Sequence, residues 1–325
     1  MLSLSELPQD LVLGVALALG LTFGSFLNVV IYRLPRGESL AWPGSHCPAC
    51  ARPIAPYDNL PVLSFLLLRG RARCCGARIS GRYPLVEALG GLYAWALVET
   101  LVFALPGDTP AWRAIVLFLV SLAMGLGLLA AAFIDLEHFY LPDPITLGGI
   151  VLGVLTAPLR PDSSMLQSAL GAAVGFLMVW LPFGLLYRLI RGKTGMGLGD
   201  AKLLSLAGAW FGWQGAVFAL LAGSVQGTLA TLAVLLTKGK LEEPEAVSRE
   251  RQQRLLEIDQ AEGAERERLE AEFLADPVLA EPSTRGIAQS KLAFGPFLVL
   301  AILEYQLFAR PWLEAIWMDL WMGYG

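Results

Sequence analysis

The sequence predicts an all-α, polytopic integral membrane protein with about eight transmembrane helices, a cytoplasmic loop that carries every cysteine, and a helical cytoplasmic insertion. Three observations predict it. The chain of 325 residues is 55% hydrophobic and only 16% charged, with mean hydropathy +0.58, a balance that soluble domains rarely reach. Its apolar runs approach the roughly 20 residues a helix needs to cross a bilayer. Its basic residues fall on alternate loops, 21 against 3.

The apolar runs place spans at about 10–33, 84–105, 112–134, 144–160, 165–190, 201–212, 214–237 and 293–320. The first has no basic residue ahead of it and no clear small-residue cleavage site, so it reads as a span and not as a secretory signal. The sixth is short and glycine-bearing, with its boundary to the seventh set at Gly212-Trp213. Residues 1–33 are then a first transmembrane helix, 34–83 a loop with cysteines, 84–237 a transmembrane core, 238–291 a charged insertion and 292–325 a last helix. The positive-inside rule puts 34–82, 135–143, 188–202 and 238–291 in the cytoplasm, with both termini outside.

The net charge of −4 has one source. Residues 238–291 carry 9 basic and 13 acidic residues; the remainder is balanced. No basic face points to nucleic acid. The insertion reads as helical around 245–275, with Glu250/Arg254 and Glu262/Arg266 at i,i+4 spacing. Gly263 weakens its middle, and Pro277 and Pro282 close it. A solvated helix or helical hairpin is the plain expectation; a docking surface is the sharper one.

Two acidic motifs stand at cytoplasmic span ends. In IDLEHFYLPDPIT, 134–146, Asp143 precedes Pro144 and a new apolar run, the pattern of a structural N-cap after Pro142. Asp135 instead ends an apolar helix, where the negative end of the dipole disfavours an anion. In GMGLGDAKLLSLAGAW, 195–210, Asp200 follows Gly195, Gly197 and Gly199. A cap for the next helix is the bland reading of Asp200. The glycines argue for more, because they let another backbone approach closely, and irregular backbone near the bilayer survives only when buried in protein or lining a wet cavity. The string is neither a phosphate loop nor a dinucleotide fingerprint: Tyr187 stands where a phosphate loop through Gly192-Lys193-Thr194 needs glycine.

Carboxylates held close do not both ionise easily, and such a pair suits peptide hydrolysis. The ionised member takes a proton from water while the protonated one donates to the scissile carbonyl. Asp135 and Asp200 can form such a pair if their helices pack together. Cation coupling in a transporter is the competing use.

These residues resemble the type IV prepilin peptidase family, leader peptidases within the wider GxGD aspartyl proteases. The resemblance runs through GSFLNVVIYRLPRG at 24–37, CPAC at 47–50, DNLPVLSFLLLRG at 58–70, CCGARISGRYPLVEALGG at 74–91, the two acidic motifs, and FGPFL at 294–298. It implies that Asp135 and Asp200 are catalytic. It implies cleavage of prepilins or pseudopilins at the cytoplasmic face of the bacterial inner membrane, after a glycine that ends a short basic leader. It also implies N-methylation of the new terminus from S-adenosylmethionine, with the first loop and its neighbours Asn28, Arg33 and Glu87 involved. Pilus or secretion assembly machinery is the implied partner, beside the lipid bilayer itself. With hydrolysis assumed, the glycines acquire a purpose. A strand-like 195–199 lies beside an extended substrate, and Gly197→Val or Gly199→Val cuts cleavage while leaving folding intact. Lys202 then steadies an ionised Asp200 or snorkels to head groups, while Glu137 and His138 read as solvated interface residues. A non-catalytic assembly factor with decayed aspartates is the third class weighed; the intact motifs speak against it.

All four cysteines, Cys47, Cys50, Cys74 and Cys75, lie in the first loop, and a cytoplasmic position argues against structural disulfides. A second C-x-x-C after CPAC signals zinc. Many family members have it, but here Ala72 stands where the third cysteine falls. Adjacent Cys74 and Cys75 are expected to bind one metal only with strain, with His46 a substitute ligand. Zinc and a metal-free loop of reduced cysteines both remain open at this point.

Overall fold

The computed structural model describes residues 6–161, 163–191, 197–238, 244–280, 292–310 and 312–313. Among them no β-sheet forms; two isolated bridges pair His46 with Pro53 and Arg71 with Arg78. The helices in order are α1 (Gln9–Arg33), α2 (Leu63–Leu67), α3 (Arg82–Leu97), α4 (Ala111–His138), α5 (Asp143–Leu155), α6 (Met165–Val179), α7 (Tyr187–Arg191), α8 (Leu198–Lys238), α9 (Glu245–Gln260), α10 (Gly263–Ala275), α11 (Pro277–Ala280) and α12 (Gly295–Glu304). The all-α membrane expectation holds.

The expected count of eight spans is not confirmed. Among the described residues, five stretches are long and apolar enough to cross a membrane: Gln9–Arg36, Arg82–Val102, Ala111–His138, Met165–Ile190 and Leu198–Thr237. Asp143–Leu155 and Gly295–Ala309 are shorter apolar helices. Local causes explain the differences. The run expected to reach 160 leaves the α-helix after Leu155, because Ala157–Leu159 tightens into a 3₁₀ turn around Pro158. The 13 residues of α5 rise about 20 Å, short of a hydrocarbon core of about 30 Å. The sixth and seventh runs form one helical stretch broken at Gly212, with φ 70° and ψ −174°, at the boundary the sequence placed. The end of the last expected span, 314–320, lies outside the described residues.

Small residues set the helix spacing. Lipid tails are as apolar as leucine, so close packing and polar contacts, not burial from water, hold membrane helices together. On α6 and α8, Gly171 meets Gly208: a Cβ on Gly208 would stand 2.0 Å from the Gly171 carbonyl oxygen. Gly20 of α1 meets Gly90 of α3 in the same way, at 2.4 Å. The buried core includes Ile31, Leu97, Leu128, Leu203, Leu298 and Ile302, while Leu166, Leu189, Leu229, Leu236 and Phe308 face outward, as a lipid-bathed surface requires.

Helix α12 lies against both α4 and α8. Polar side chains fix its C-terminal end. Gln226 Nε2 donates to Glu304 Oε2 at 2.6 Å. Tyr93 Oη, donating once, lies 2.9 Å from both the Ser121 carbonyl and Gln306 Oε1. Arg160 caps helix ends, its guanidinium donating to the carbonyls of Trp210, Ala209 and Gly153.

The insertion is a helical hairpin packed on α4 through α9, whose Val247 is fully buried. The chain leaves the helix at Ala261 and re-enters it at Gly263, with φ +59°. The ion pairs differ from those expected from spacing: Arg254 pairs with Glu257 and Arg266 with Glu270, while Arg249–Glu245 and Arg268–Glu272 also form. In both expected pairs the arginine turned toward an acid further along its own helix. Pro277 opens α11 rather than closing the helical region, and Pro282 lies outside the described residues.

Candidate active site

Asp135 stands on the last turn of α4 and is 6% exposed. Phe139 ends that helix in the left-handed region, φ +51°, with its N–H on the Asp135 carbonyl at 2.9 Å. The short link then carries Leu141 and Pro142, both buried, into α5. A carboxylate at a helix C-terminus needs compensation, and it comes from the far end of the chain. The backbone N–H of Gly295 donates to Asp135 Oδ2 at 3.0 Å. Gly295 opens α12, so its unpaired N–H and the positive end of that dipole face the carboxylate.

Asp200 is half-buried in the first turn of α8. Asp200 and Asp135 are linked through one side chain, Leu141, which packs on Gly199 beside the one and on Gly295 beside the other. Leu141 wedges between the two supports. A Cβ on Gly199 would meet Leu141 Cδ1 at 2.9 Å, and one on Gly295 would meet Leu141 Cδ2 at 3.2 Å.

The glycines are not one strand-like segment. Helix α8 starts at Leu198, so Gly199 is helical and packed. Only Gly197 is outside the helix and exposed; a Cβ there would have Asp200 Oδ2 at 3.7 Å as its nearest neighbour. Gly195 lies outside the described residues. Lys202 Nζ donates to Asp143 Oδ1, joining α8 to α5, a partner that the sequence reading did not name. Asp143 is in the first turn of α5, but its side chain makes no cap; Pro142 holds the N-cap position. The Pro142 carbonyl accepts from the N–H groups of Ile145 and Thr146, both at 3.1 Å. Glu137 is engaged by Arg82, so it is an ion-pair member and not merely solvated.

The first loop is tied down by two of the three side chains singled out beside it, and the third binds α3. Arg33 donates to the carbonyls of Ser39 at 2.9 Å and Pro43 at 2.7 Å. Glu87 Oε2 accepts the Val62 N–H at 2.7 Å. Asn28 Nδ2 donates to the Tyr83 carbonyl at 3.2 Å, and its Oδ1 is buried without a partner.

The loop brings its four cysteines together, with all four sulfurs within 4.8 Å of one another. Cys50 and Cys74 are 3.4 Å apart, Cys47 and Cys75 3.7 Å, Cys74 and Cys75 3.9 Å. Four thiolates on one zinc at about 2.3 Å stand about 3.8 Å from each other, so the set fits such an ion. The expected strain between adjacent Cys74 and Cys75 is absent from the sulfur spacing. His46 is not a member: its Nδ1 lies 3.2 Å from the Gly44 carbonyl. The N–H groups of Ala49 and Cys50 bring the Cys47 thiol down to about 6, while bonding with the Cys50 thiol pushes Cys74 up to about 12.

Gly295 is the residue at this site that sequence reasoning missed. It was visible only as part of FGPFL; its contact with Asp135 spans the chain.

A polytopic helical membrane protein with a buried and a half-buried carboxyl group at the ends of two of its helices, and a loop that gathers four thiols, defines the class. The comparisons name the family. Residues 18–101 match the bacterial peptidase A24 N-terminal domain, and residues 122–232 match the type IV leader peptidase family. A prepilin leader peptidase/N-methyltransferase of Pseudomonas putida is 40% identical over 245 residues, covering 68% of this chain and 80% of that protein. One of Aeromonas hydrophila is 38% identical over 242 residues, covering 67% and 79%, and one of Klebsiella pneumoniae is 43% identical over 204, covering 60% and 83%. The chain belongs to the type IV leader peptidase family. No solved structure matches it.

Proposed function

We propose that this chain is a membrane endopeptidase that removes leaders from prepilins or pseudopilins, with Asp135 and Asp200 as its hydrolytic pair. The observation that carries the reading is the placement of a buried Asp135 on the last turn of α4 and a half-buried Asp200 on the first turn of α8, with Gly295 beside the one and Gly199 beside the other both packed on Leu141. The relatives support the peptidase reading and not a cation-coupled transporter.

The chemistry follows from a shared proton. The ionised aspartate removes a proton from a water held between the two groups, and the water oxygen attacks the scissile carbonyl carbon. The protonated aspartate donates to the carbonyl oxygen. Collapse of the tetrahedral intermediate breaks the C–N bond; the amine leaves with a proton, and the pair is ready again. The Gly295 N–H keeps Asp135 in place without adding bulk. Gly197, open beside Asp200, leaves room for the substrate backbone. Positive-inside asymmetry supports a cytoplasmic active site in the inner membrane.

The relatives' printed names extend the reading to N-methylation of the new terminus, for which S-adenosylmethionine supplies the methyl group. Of the side chains carried over for that step, Arg33 and Glu87 are committed to the loop backbone, while Asn28 keeps a buried Oδ1 without a partner. Zinc is the metal proposed for Cys47, Cys50, Cys74 and Cys75, where it would brace a loop with few buried residues. Pilus or secretion machinery is the proposed assembly partner.

The test is leader removal. Membranes containing this chain are incubated with a prepilin, and the product is read by mass. The expected result is loss of the leader, with cleavage on the C-terminal side of its last glycine. An intact prepilin at all times overturns the reading.

A further inference from the structure

The first loop contains two turns with one backbone plan. In the first, the Cys47 N–H donates to the Arg52 carbonyl at 2.8 Å and the Ala51 N–H to the Cys47 carbonyl at 2.8 Å. In the second, the Ala72 N–H donates to the Ala77 carbonyl at 2.8 Å and the Gly76 N–H to the Ala72 carbonyl at 2.7 Å. Each turn has one left-handed residue at the same place, Ala51 with φ 57° and Gly76 with φ 71°. Each is flanked by an isolated bridge, His46 with Pro53 and Arg71 with Arg78.

The correspondence is residue by residue. Cys50 matches Cys75, Ala51 matches Gly76, and Arg52 matches Ala77. Cys47 then matches Ala72, and Ala49 matches Cys74. The second turn therefore keeps the backbone for a ligand at 72 but carries alanine there. A sulfur stands two positions on, at 74, and it reaches the same cluster, 3.4 Å from Cys50.

We infer that the second turn holds its metal in a transposed register: Cys74 supplies the thiolate that position 72 is built to supply, and adjacent Cys74 and Cys75 ligate one zinc together. The inference rests on the zinc reading above and adds how Cys74 stands in for the ligand that the turn is built to carry at position 72. The surroundings of Cys74 support the register. Arg73 grips Asp58 through both carboxylate oxygens at 2.9–3.0 Å and lies over the Tyr57 ring. Arg52 of the first turn reaches the Cys74 carbonyl at 3.5 Å. The turn is pinned on both sides of the displaced ligand.

Cobalt(II) reports ligand number and type in such sites. The full-length protein, purified in detergent under reducing conditions, is titrated with cobalt and then displaced with zinc. The parent is expected to take one cobalt per chain with the absorption of a tetrahedral four-thiolate site. Cys74→Ser is expected to lose that absorption and to hold zinc at least tenfold more weakly. Ala72→Cys/Cys74→Ala is expected to regain the four-thiolate spectrum, because the turn still has the backbone for a ligand at 72. An unchanged spectrum in Cys74→Ser overturns the inference, as does a parent that binds no cobalt. A double variant that stays at three thiolates overturns the retained-scaffold half of it. Leader cleavage, measured on the same preparations, confirms folding and stands or falls separately on the aspartates.

Discussion

Replacing Gly295 with alanine adds one methyl group at the most crowded point of the site. The new Cβ would stand 2.6 Å from Asp135 Oδ2, 3.1 Å from its Cγ and 3.2 Å from Leu141 Cδ2. None of these separations reaches 3.4 Å, where ordinary contact begins. The carboxylate is no flexible tail, being 6% exposed on a packed helix. Either Asp135 rotates away or α12 retreats, and both break the 3.0 Å bond from the Gly295 N–H. A hydrogen bond to a charged group contributes about 1.5–3 kcal/mol, and about 1.4 kcal/mol is tenfold in rate, so kcat for leader removal should fall on the order of 10- to 100-fold. The assay is single-turnover cleavage of a prepilin by purified protein in detergent. Gly148→Ala is the matched control, since a Cβ there meets nothing within 4 Å. A Gly295→Ala variant with the parent's kcat would refute the reasoning, because it would mean that the N–H contact does not hold Asp135 during the reaction.

Other expectations follow from the same geometry. Gly197→Val should fold normally and cleave poorly, since its side chain would enter open space beside Asp200, whereas Gly199→Val should also lower thermal stability by pushing on Leu141; melting curves separate the two. Lys202→Met removes an ion pair whose side chains are 24% and 54% exposed, so stability should change by about 0–1 kcal/mol and cleavage by a few fold; a hundredfold loss would give Lys202 a direct role at the aspartates. Gly208→Val should destabilise the α6–α8 contact by about 1–3 kcal/mol or more, seen as earlier unfolding in detergent. Stripping metal with a chelator should make residues 45–78 more open to protease while leaving the helices intact by circular dichroism.

Most of the membrane architecture was readable because apolar runs and basic loops are one-dimensional signals. The break at Gly212 falls where the short sixth run was parted from the seventh, at Gly212-Trp213. The length of α5 was not, because Pro158 sits within an apolar stretch and its effect on the helix end is local geometry. At the site, Asp135 stood out because a carboxylate at a helix C-terminus lacks local compensation. Its partner in that role, the Gly295 N–H, is a backbone group brought in by tertiary packing, and no side-chain pattern encodes it. The Lys202–Asp143 ion pair was not readable for a related reason: only the packing of α8 on α5 brings the two together. The gathering of the four cysteines was not readable, because Cys74 and Cys75 break the second C-x-x-C pattern and only the folding of the two turns brings their sulfurs to Cys47 and Cys50.

The central claim is that Asp135 and Asp200 act as one unit, and comparing three variants measures it directly. Leader cleavage is followed for Asp135→Asn, Asp200→Asn and the double variant, each checked for folding by its melting curve. A shared proton predicts that each single change costs as much as both together, since groups acting as a unit are non-additive. Parent-like cleavage by either single variant, or a double variant slower by the product of the two single effects, would contradict it.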